Sequence, residues 1–144
     1  GRVYMTSLNC PFRTSDKLSH FLKKETNLIV VDFHAEATAE KIAMGWYLDG
    51  KVSAVIGTHT HVQTADERIL PNGTAYITDV GMTGAFDGVI GSNKEFSINR
   101  FLYQTPQRQE VAKDDIRMNA VVLNIDTQTG KTEKIIRIFE PEYK

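Results

Sequence analysis

Apolar residues along this chain fall either in short continuous runs or at helical spacing, and the order of the two kinds of segment sets out a fold. Leu18, Phe21 and Leu22 recur at a helical interval. Thr14 or Ser15 offers an N-cap, Asp16 lies in the first turn, and Lys23-Lys24 suits the last, which predicts a helix over roughly 15–25. His20 falls off that stripe and is expected to face solvent. Leu28 to Phe33 is an apolar run broken only by Asp32, the pattern of a strand covered on both faces in a parallel sheet. Ala39, Ile42, Ala43, Trp46 and Tyr47 then mark one face of a helix that opens near Thr38 and ends at Asp49-Gly50. On this reading Trp46 belongs to the core. Val52 to Ile56 is a second short apolar run. Strand, helix and strand joined by short loops predict a βαβ unit with parallel strands and a right-handed crossover.

Beyond residue 61 the pattern turns to hairpins. Arg68-Ile69-Leu70 and Ala75-Tyr76-Ile77 flank Pro71-Asn72-Gly73-Thr74, a turn signal between two strand-like runs. Residues 79–91 are rich in glycine and read as a long ordered loop. Ser92-x-x-Glu95 has the form of a capping box, followed by an Ile98/Phe101/Leu102 stripe in a helix that must stop before Pro106. Residues 107–115 are polar and read as an exposed turn or a frayed strand. Ile116 to Ile125 and Lys131 to Phe139 form a second hairpin about the turn Asp126 to Gly130. Both alternate sets of the first strand carry apolar side chains, so both faces are expected to be partly covered.

Composition adds bounds. At 144 residues, 41% hydrophobic and 24% charged, the chain is the size and make-up of one globular domain. A net charge of −1 gives no field that would favour a nucleic-acid polymer or an anionic membrane. No apolar run approaches the length of a transmembrane helix, and Gly1-Arg2-Val3-Tyr4-Met5 lacks the layout of a signal peptide. A lone cysteine, Cys10, excludes an internal disulfide and fits the cytoplasm. The first residue is glycine, which is compatible with a piece of a longer protein.

The candidate chemistry lies in histidines. His59 and His61 stand one residue apart after the second apolar run, and His34 ends the first. Both positions fall at the carboxyl ends of predicted parallel strands, the edge where open α/β sheets build their sites. Imidazole is a common ligand for zinc, iron and manganese. Alone, His59-x-His61 is as readily two polar loop residues. Gly57, expected to let the chain turn tightly, the small Thr58 and Thr60, and a third imidazole on the same edge favour metal binding by His34, His59 and His61. Asp32, Glu36 and Asp79 are candidate acceptors for imidazole N–H groups. Each also has a plain structural reading; Asp32 would cap a strand end and Glu36 would be a first-turn helix acid. No nucleophile elbow, phosphate-binding glycine loop or His-Glu-x-x-His zinc signature occurs.

Four segments carry a family resemblance: Asp32-Phe33-His34-Ala35-Glu36-Ala37-Thr38, Gly45-Trp46-Tyr47, Gly57 to Asp66, and Tyr76 to Gly84. They closely resemble the C-terminal half of bacterial YmdB-like proteins, of the calcineurin-like metallophosphoesterase superfamily. The resemblance implies an α/β fold, a partial metallophosphoesterase sandwich of a βαβ unit plus antiparallel hairpins, roughly half of a two-sheet αββα architecture. It implies a phosphodiesterase acting on small phosphodiesters such as 2′,3′-cyclic nucleotides, through two ions of iron, manganese or zinc. By this resemblance His34 and His59 ligate one metal and His61 the other. The family's Gly-Asp, Gly-Glu-Asn and Gly-Asn-His motifs, which supply the bridging carboxylate and the general-acid histidine, are absent here. The expectation is therefore a single C-terminal portion over residues 1–144, with no catalytic residue of its own and with its metal ligands completed by the N-terminal half of the same protein. The alternative is a non-catalytic module that holds one metal through its three histidines. A homo-oligomer is left open.

Overall fold

The computed structural model describes residues 1–106 and 108–142. Among these described residues, seven strands and three helices run in the order α1 (Pro11–Leu22), β1 (Val30–His34), α2 (Thr38–Leu48), β2 (Ala54–Thr58), β3 (Arg68–Ile69), β4 (Ala75–Ile77), β5 (Thr83–Ala85), α3 (Lys94–Tyr103), β6 (Ile116–Ile125) and β7 (Thr132–Glu140). The strands form two sheets, β1-β2-β4-β3 and β5-β6-β7. The fold is thus mixed α/β, and the βαβ unit is present: β1 and β2 are parallel, with His34 level with Thr58 at their carboxyl ends. The hairpin β3-β4 is antiparallel, and β4 also joins β2 in parallel.

Alternation along β2 and β4 divides the core in two. Val55 and Tyr76 point to one side and join Phe33, Met44 and Leu48 under the helices. Ala54, Ile56, Ala75 and Ile77 point to the other and meet Val121, Leu123 and Ile135 of the second sheet. Thr132 Oγ1 donates to the Ser53 carbonyl at 2.7 Å and ties the sheets together inside that seam. The layers are helices, sheet, sheet.

Several elements depart from what the pattern predicts. Helix α1 starts four residues early because Pro11 takes its first position, where its missing N–H costs nothing. Strand β1 is a sheet edge and half open, so its apolar run is covered on one face only; Val30 is exposed. Helix α2 is rotated about its axis. Lys41, Met44, Gly45 and Leu48 are buried, while Ala39 and Ala43 are exposed, as is Trp46 at 51%. The cause is Gly45, on which any Cβ would collide with the ring of Tyr76, so the helix seats its glycine against β4. Residues 79–91 are not all loop, since β5 within them pairs with β6. The N-cap of α3 is Asn93 rather than Ser92: Asn93 Oδ1 accepts from Phe96 N at 3.0 Å. The stripe Ile98, Phe101 and Leu102 is exposed. Of β6, Val121, Leu123 and Ile125 face inward, and Met118 and Val122 remain exposed. Of the polar stretch 107–115, residue 107 lies outside the described residues; Val111 bridges to Ser92 and Ala112 is buried. His20 is exposed, and the Gly50 and Gly130 turns take positive φ as expected.

Turning α2 this way buries a lysine, and the fold answers with a carboxylate. Lys41 Nζ donates to Asp79 Oδ2 at 2.7 Å, with the two side chains 1% and 0% exposed. Asp79 also accepts from Thr60 N and from Gly81 N, both at 2.9 Å. Burial by itself pushes the Asp79 carboxyl up, but the Lys41 ammonium and the two backbone donors outweigh it and hold the group below its ordinary value. Gly57 has a related constraint. Its φ is not positive, so the tight turn expected of it is not its role; a Cβ there would overlap the carbonyl oxygen of Thr78 on the neighbouring strand.

Two outcomes follow for stability. Gly57→Ala must push two backbones apart and is expected to cost about 3 kcal/mol in urea unfolding. Lys41→Met strands a buried carboxylate and is expected to cost about 3–5 kcal/mol at neutral pH. A carboxylate held below its unfolded pKa contributes fully above that pKa and loses its contribution as pH falls through the folded value. The stability gap between wild type and Lys41→Met should therefore narrow below about pH 4, and a gap that stays constant with pH would refute the assignment.

Candidate metal centre

Strands β1 and β2 end side by side, and their last residues open the site. The chain leaves Thr58 and turns twice through unusual backbone: His59 has φ 116° and His61 φ 66°. Left-handed φ in non-glycine residues is strained and persists only where surroundings enforce it. Thr60, between them, is pinned by its N–H to Asp79. The backbone is therefore not extended through His59-Thr60-His61, and the two imidazoles point to different places.

His59 swings toward β1. Its Nδ1 lies 2.9 Å from His34 Nε2, with the rings edge-to-face and their centroids 4.7 Å apart. Its Nε2 meets Glu36 Oε2 at 2.7 Å. The other nitrogen of His34, Nδ1, lies 3.2 Å from Thr58 Oγ1, whose own proton goes to Asp32 Oδ1 at 2.8 Å. His61 turns away, its Nδ1 2.9 Å from the carbonyl of Ile90. Among the described residues no group of three His, Cys, Asp or Glu side chains is gathered to hold a metal ion. The structure thus brings His34 and His59 together, with Glu36 on His59 and Asp32 one hydroxyl removed from His34. It sets His61 apart and uses Asp79 beneath the loop, on backbone N–H groups rather than on an imidazole.

Proton accounting shows what the histidine pair can hold. A carboxylate only accepts, so the Thr58 hydroxyl is committed to Asp32 and its oxygen must accept from His34 Nδ1–H. Nε2 of His34 is then a lone pair. Glu36 likewise requires the proton of His59 on Nε2, which leaves Nδ1 as a lone pair in the neutral ring. Two lone pairs face each other at 2.9 Å. Only a cation between them, a proton or a metal ion, makes that arrangement favourable. Ligating histidines ordinarily donate their second nitrogen to a carboxylate or a neutral acceptor, as both rings do here. The donor set fits a divalent metal at this pair.

Sequence reading does not mark Lys41, Gln63 or the relay role of Thr58. Lys41 sits at i−3, i−4 and i−7 from Met44, Gly45 and Leu48, a second apolar stripe on the same helix that would have placed it inward. Gln63 has no such signal. Its Nε2 reaches the carbonyls of Val80, Ala120 and Ile138 at 3.1–3.2 Å and fastens the histidine loop to the second sheet.

Residues 1–138 match the family described as YmdB-like protein. A 2′,3′-cyclic-nucleotide 2′-phosphodiesterase of Bacillus subtilis (strain 168) is 55% identical over 138 residues, which cover 96% of this chain and 52% of that protein. A crystal structure described as a hypothetical protein from Thermus thermophilus superimposes with a TM-score of 0.89 at 42% identity, covering 96% of this chain and 54% of that one. The crystal structure of a phosphatase of Mycoplasma pneumoniae gives a TM-score of 0.83 at 45% identity, covering 90% and 46%. The chain spans about half the length of these relatives. Among the described residues, no helix is long and apolar enough to cross a membrane. A family match over residues 1–138, a relative at 55% identity and solved structures that superimpose on the two-sheet fold agree: the chain belongs to the YmdB-like protein family.

Proposed function

We propose that this chain is the C-terminal part of a metal-dependent phosphodiesterase that hydrolyses small phosphodiesters such as 2′,3′-cyclic nucleotides. The observation that carries it is the His34–His59 pair, whose outer nitrogens are committed to Thr58 and Glu36 so that the inner two face a shared cation position. In this reading His34 and His59 hold one metal ion, and His61, turned elsewhere by its φ of 66°, offers Nε2 to a second. Bound there, metal ions supply Lewis acidity toward a phosphoryl oxygen. This chain's own residues orient the imidazoles: Thr58 and Asp32 fix the His34 tautomer, Glu36 fixes that of His59, and Asp79 holds the loop between the two sites. Two dications need carboxylate ligands that His34, His59 and His61 do not provide. The bridging carboxylate and the general acid come, in this proposal, from an N-terminal half, which agrees with relatives about twice as long.

Two outcomes test this. Elemental analysis of the purified 144-residue protein after manganese loading should find no more than one metal per chain and none in His59→Ala, and phosphodiester turnover should appear only when an N-terminal half is supplied. A ratio near two in this chain alone, or turnover unaffected by His59→Ala in the completed protein, overturns the reading. Thr58→Val removes the acceptor of His34 Nδ1–H while keeping shape, and is expected to weaken manganese binding by about 10–100-fold; unchanged affinity would show that the relay is irrelevant to the metal.

A further inference from the structure

A cavity of about 680 Å³ opens beside His61, on the side away from His34 and His59, in the seam between the histidine loop and the second sheet. Its size is that of small-molecule sites. Two aromatic rings, Phe86 and Phe139, line it, packed edge-to-face with centroids 5.5 Å apart. Met82 and Ile90 add apolar surface, and Ile90 is 52% exposed. Besides His61 and Gln63, two further polar side chains interrupt this lining. Arg137 is held at its Nε by Glu67 at 2.7 Å. Asn119, only 7% exposed, lines the cavity with a buried carboxamide whose oxygen has no hydrogen-bond partner among the described residues. Ile90 is a β-branched residue at φ 46°, a strained position, and its carbonyl is the partner of His61 Nδ1. The cavity wall and the imidazole are therefore one joined unit.

We infer that this cavity is the nucleobase subsite of the phosphodiesterase, and that it gives the protein its preference for nucleoside substrates over other diesters. The inference rests on the function proposed above. An apolar pocket of aromatic and thioether groups with a guanidinium and the Gln63 and His61 side chains on its lining suits a flat heterocycle that stacks on one face and meets polar groups at its edge. The connection through His61 sets the order: a phosphoryl group held at His61 leaves the attached ribose and base on the cavity side of that imidazole. The net charge of −1 favours a mononucleotide over a polyanionic strand.

The test uses adenosine, which has no phosphate and so reads the cavity without the metal centre. With methionine methyl groups labelled, the protein shows Met5, Met44, Met82 and Met118 separately. Adenosine should shift the Met82 methyl alone, saturate as it is titrated, bind equally well after chelation of metals, and transfer saturation to its base protons more than to its ribose. Ile90→Arg changes an exposed side chain, keeps the carbonyl that His61 uses, and should weaken adenosine by about tenfold or more. Retained methionine shifts in the other three positions show that the variant is folded. Absence of a Met82 shift, or shifts at Met44 or Met118 instead, overturns the subsite. If diester hydrolysis by the completed protein persists while adenosine fails to bind, the subsite falls and the catalytic reading stands. If hydrolysis fails while adenosine binds as described, the reverse holds.

Discussion

Everything at the open edge of the parallel sheet depends on one buried carboxylate. Asp79 lies just past β4, is fully buried, and accepts from Lys41 on α2, from Thr60 in the histidine loop and from Gly81 at the turn into β5. A buried charge is tolerated only when paired and hydrogen-bonded. The three donors therefore cannot move independently, and a helix, a loop and the entry to the second sheet are fixed to one another through two oxygen atoms. The strained φ angles of His59 and His61 sit either side of the residue this carboxylate holds. Strain of that kind costs about 1–3 kcal/mol per residue, and the Asp79 network is the surrounding structure that sustains it.

The strain has a geometric product. In an extended His-x-His both side chains would leave the same face together. Here His59 turns to His34 and Glu36, and His61 to Ile90, so two histidines separated by one residue serve two different places. A structural role alone would not call for this. His34 and His61 are exposed and His59 partly so, and the His34–His59 contact sets two lone pairs against each other. A proton or a metal ion between the facing nitrogens relieves that contact, and the function proposed above assigns the position to a metal.

How much of this can be read in the sequence follows from which interactions are local. The βαβ unit, both hairpins and the end of α3 are legible because apolar runs, turn residues and a proline state them within a few positions. So is the placement of His34 and His59 at one sheet edge, since parallel strands of similar length end together. The rotation of α2 is not. Its apolar stripe Ala39, Ile42, Ala43, Trp46 and Tyr47 is the more hydrophobic face, yet the contact between Gly45 and Tyr76 and the pairing of Lys41 with Asp79 decide the matter, and both partners lie more than thirty residues away. Gly57 stands out in the sequence as a turn residue, whereas its role is the close approach of Thr78, because a glycine's neighbour across a sheet is not written beside it. Asp32 and Glu36 are visible as candidates; that one acts through Thr58 and the other directly depends on side-chain reach that spacing does not show.

The open edge of β1 gains meaning together with the histidines. β1 presents an edge with no strand beside it among the described residues, whereas the half-exposed Trp46 lies against Arg68 of β3 at the opposite edge of the sheet, and Tyr47 packs on Phe12. Long unpaired edges and exposed aromatic residues are costly in an isolated domain. The proposed catalytic site is incomplete at the same edge, because Glu36 is committed to the outer nitrogen of His59 and Asp32 to Thr58, which leaves neither carboxylate to bridge two metals. In the function proposed above, a strand added along β1 would pair that edge, and ligands carried at its end would arrive beside those of β1 and β2. The open strand edge and the facing histidines share one end of β1, so in that proposal a single added strand accounts for both, while the exposed ring of Trp46 over β3 is a separate feature.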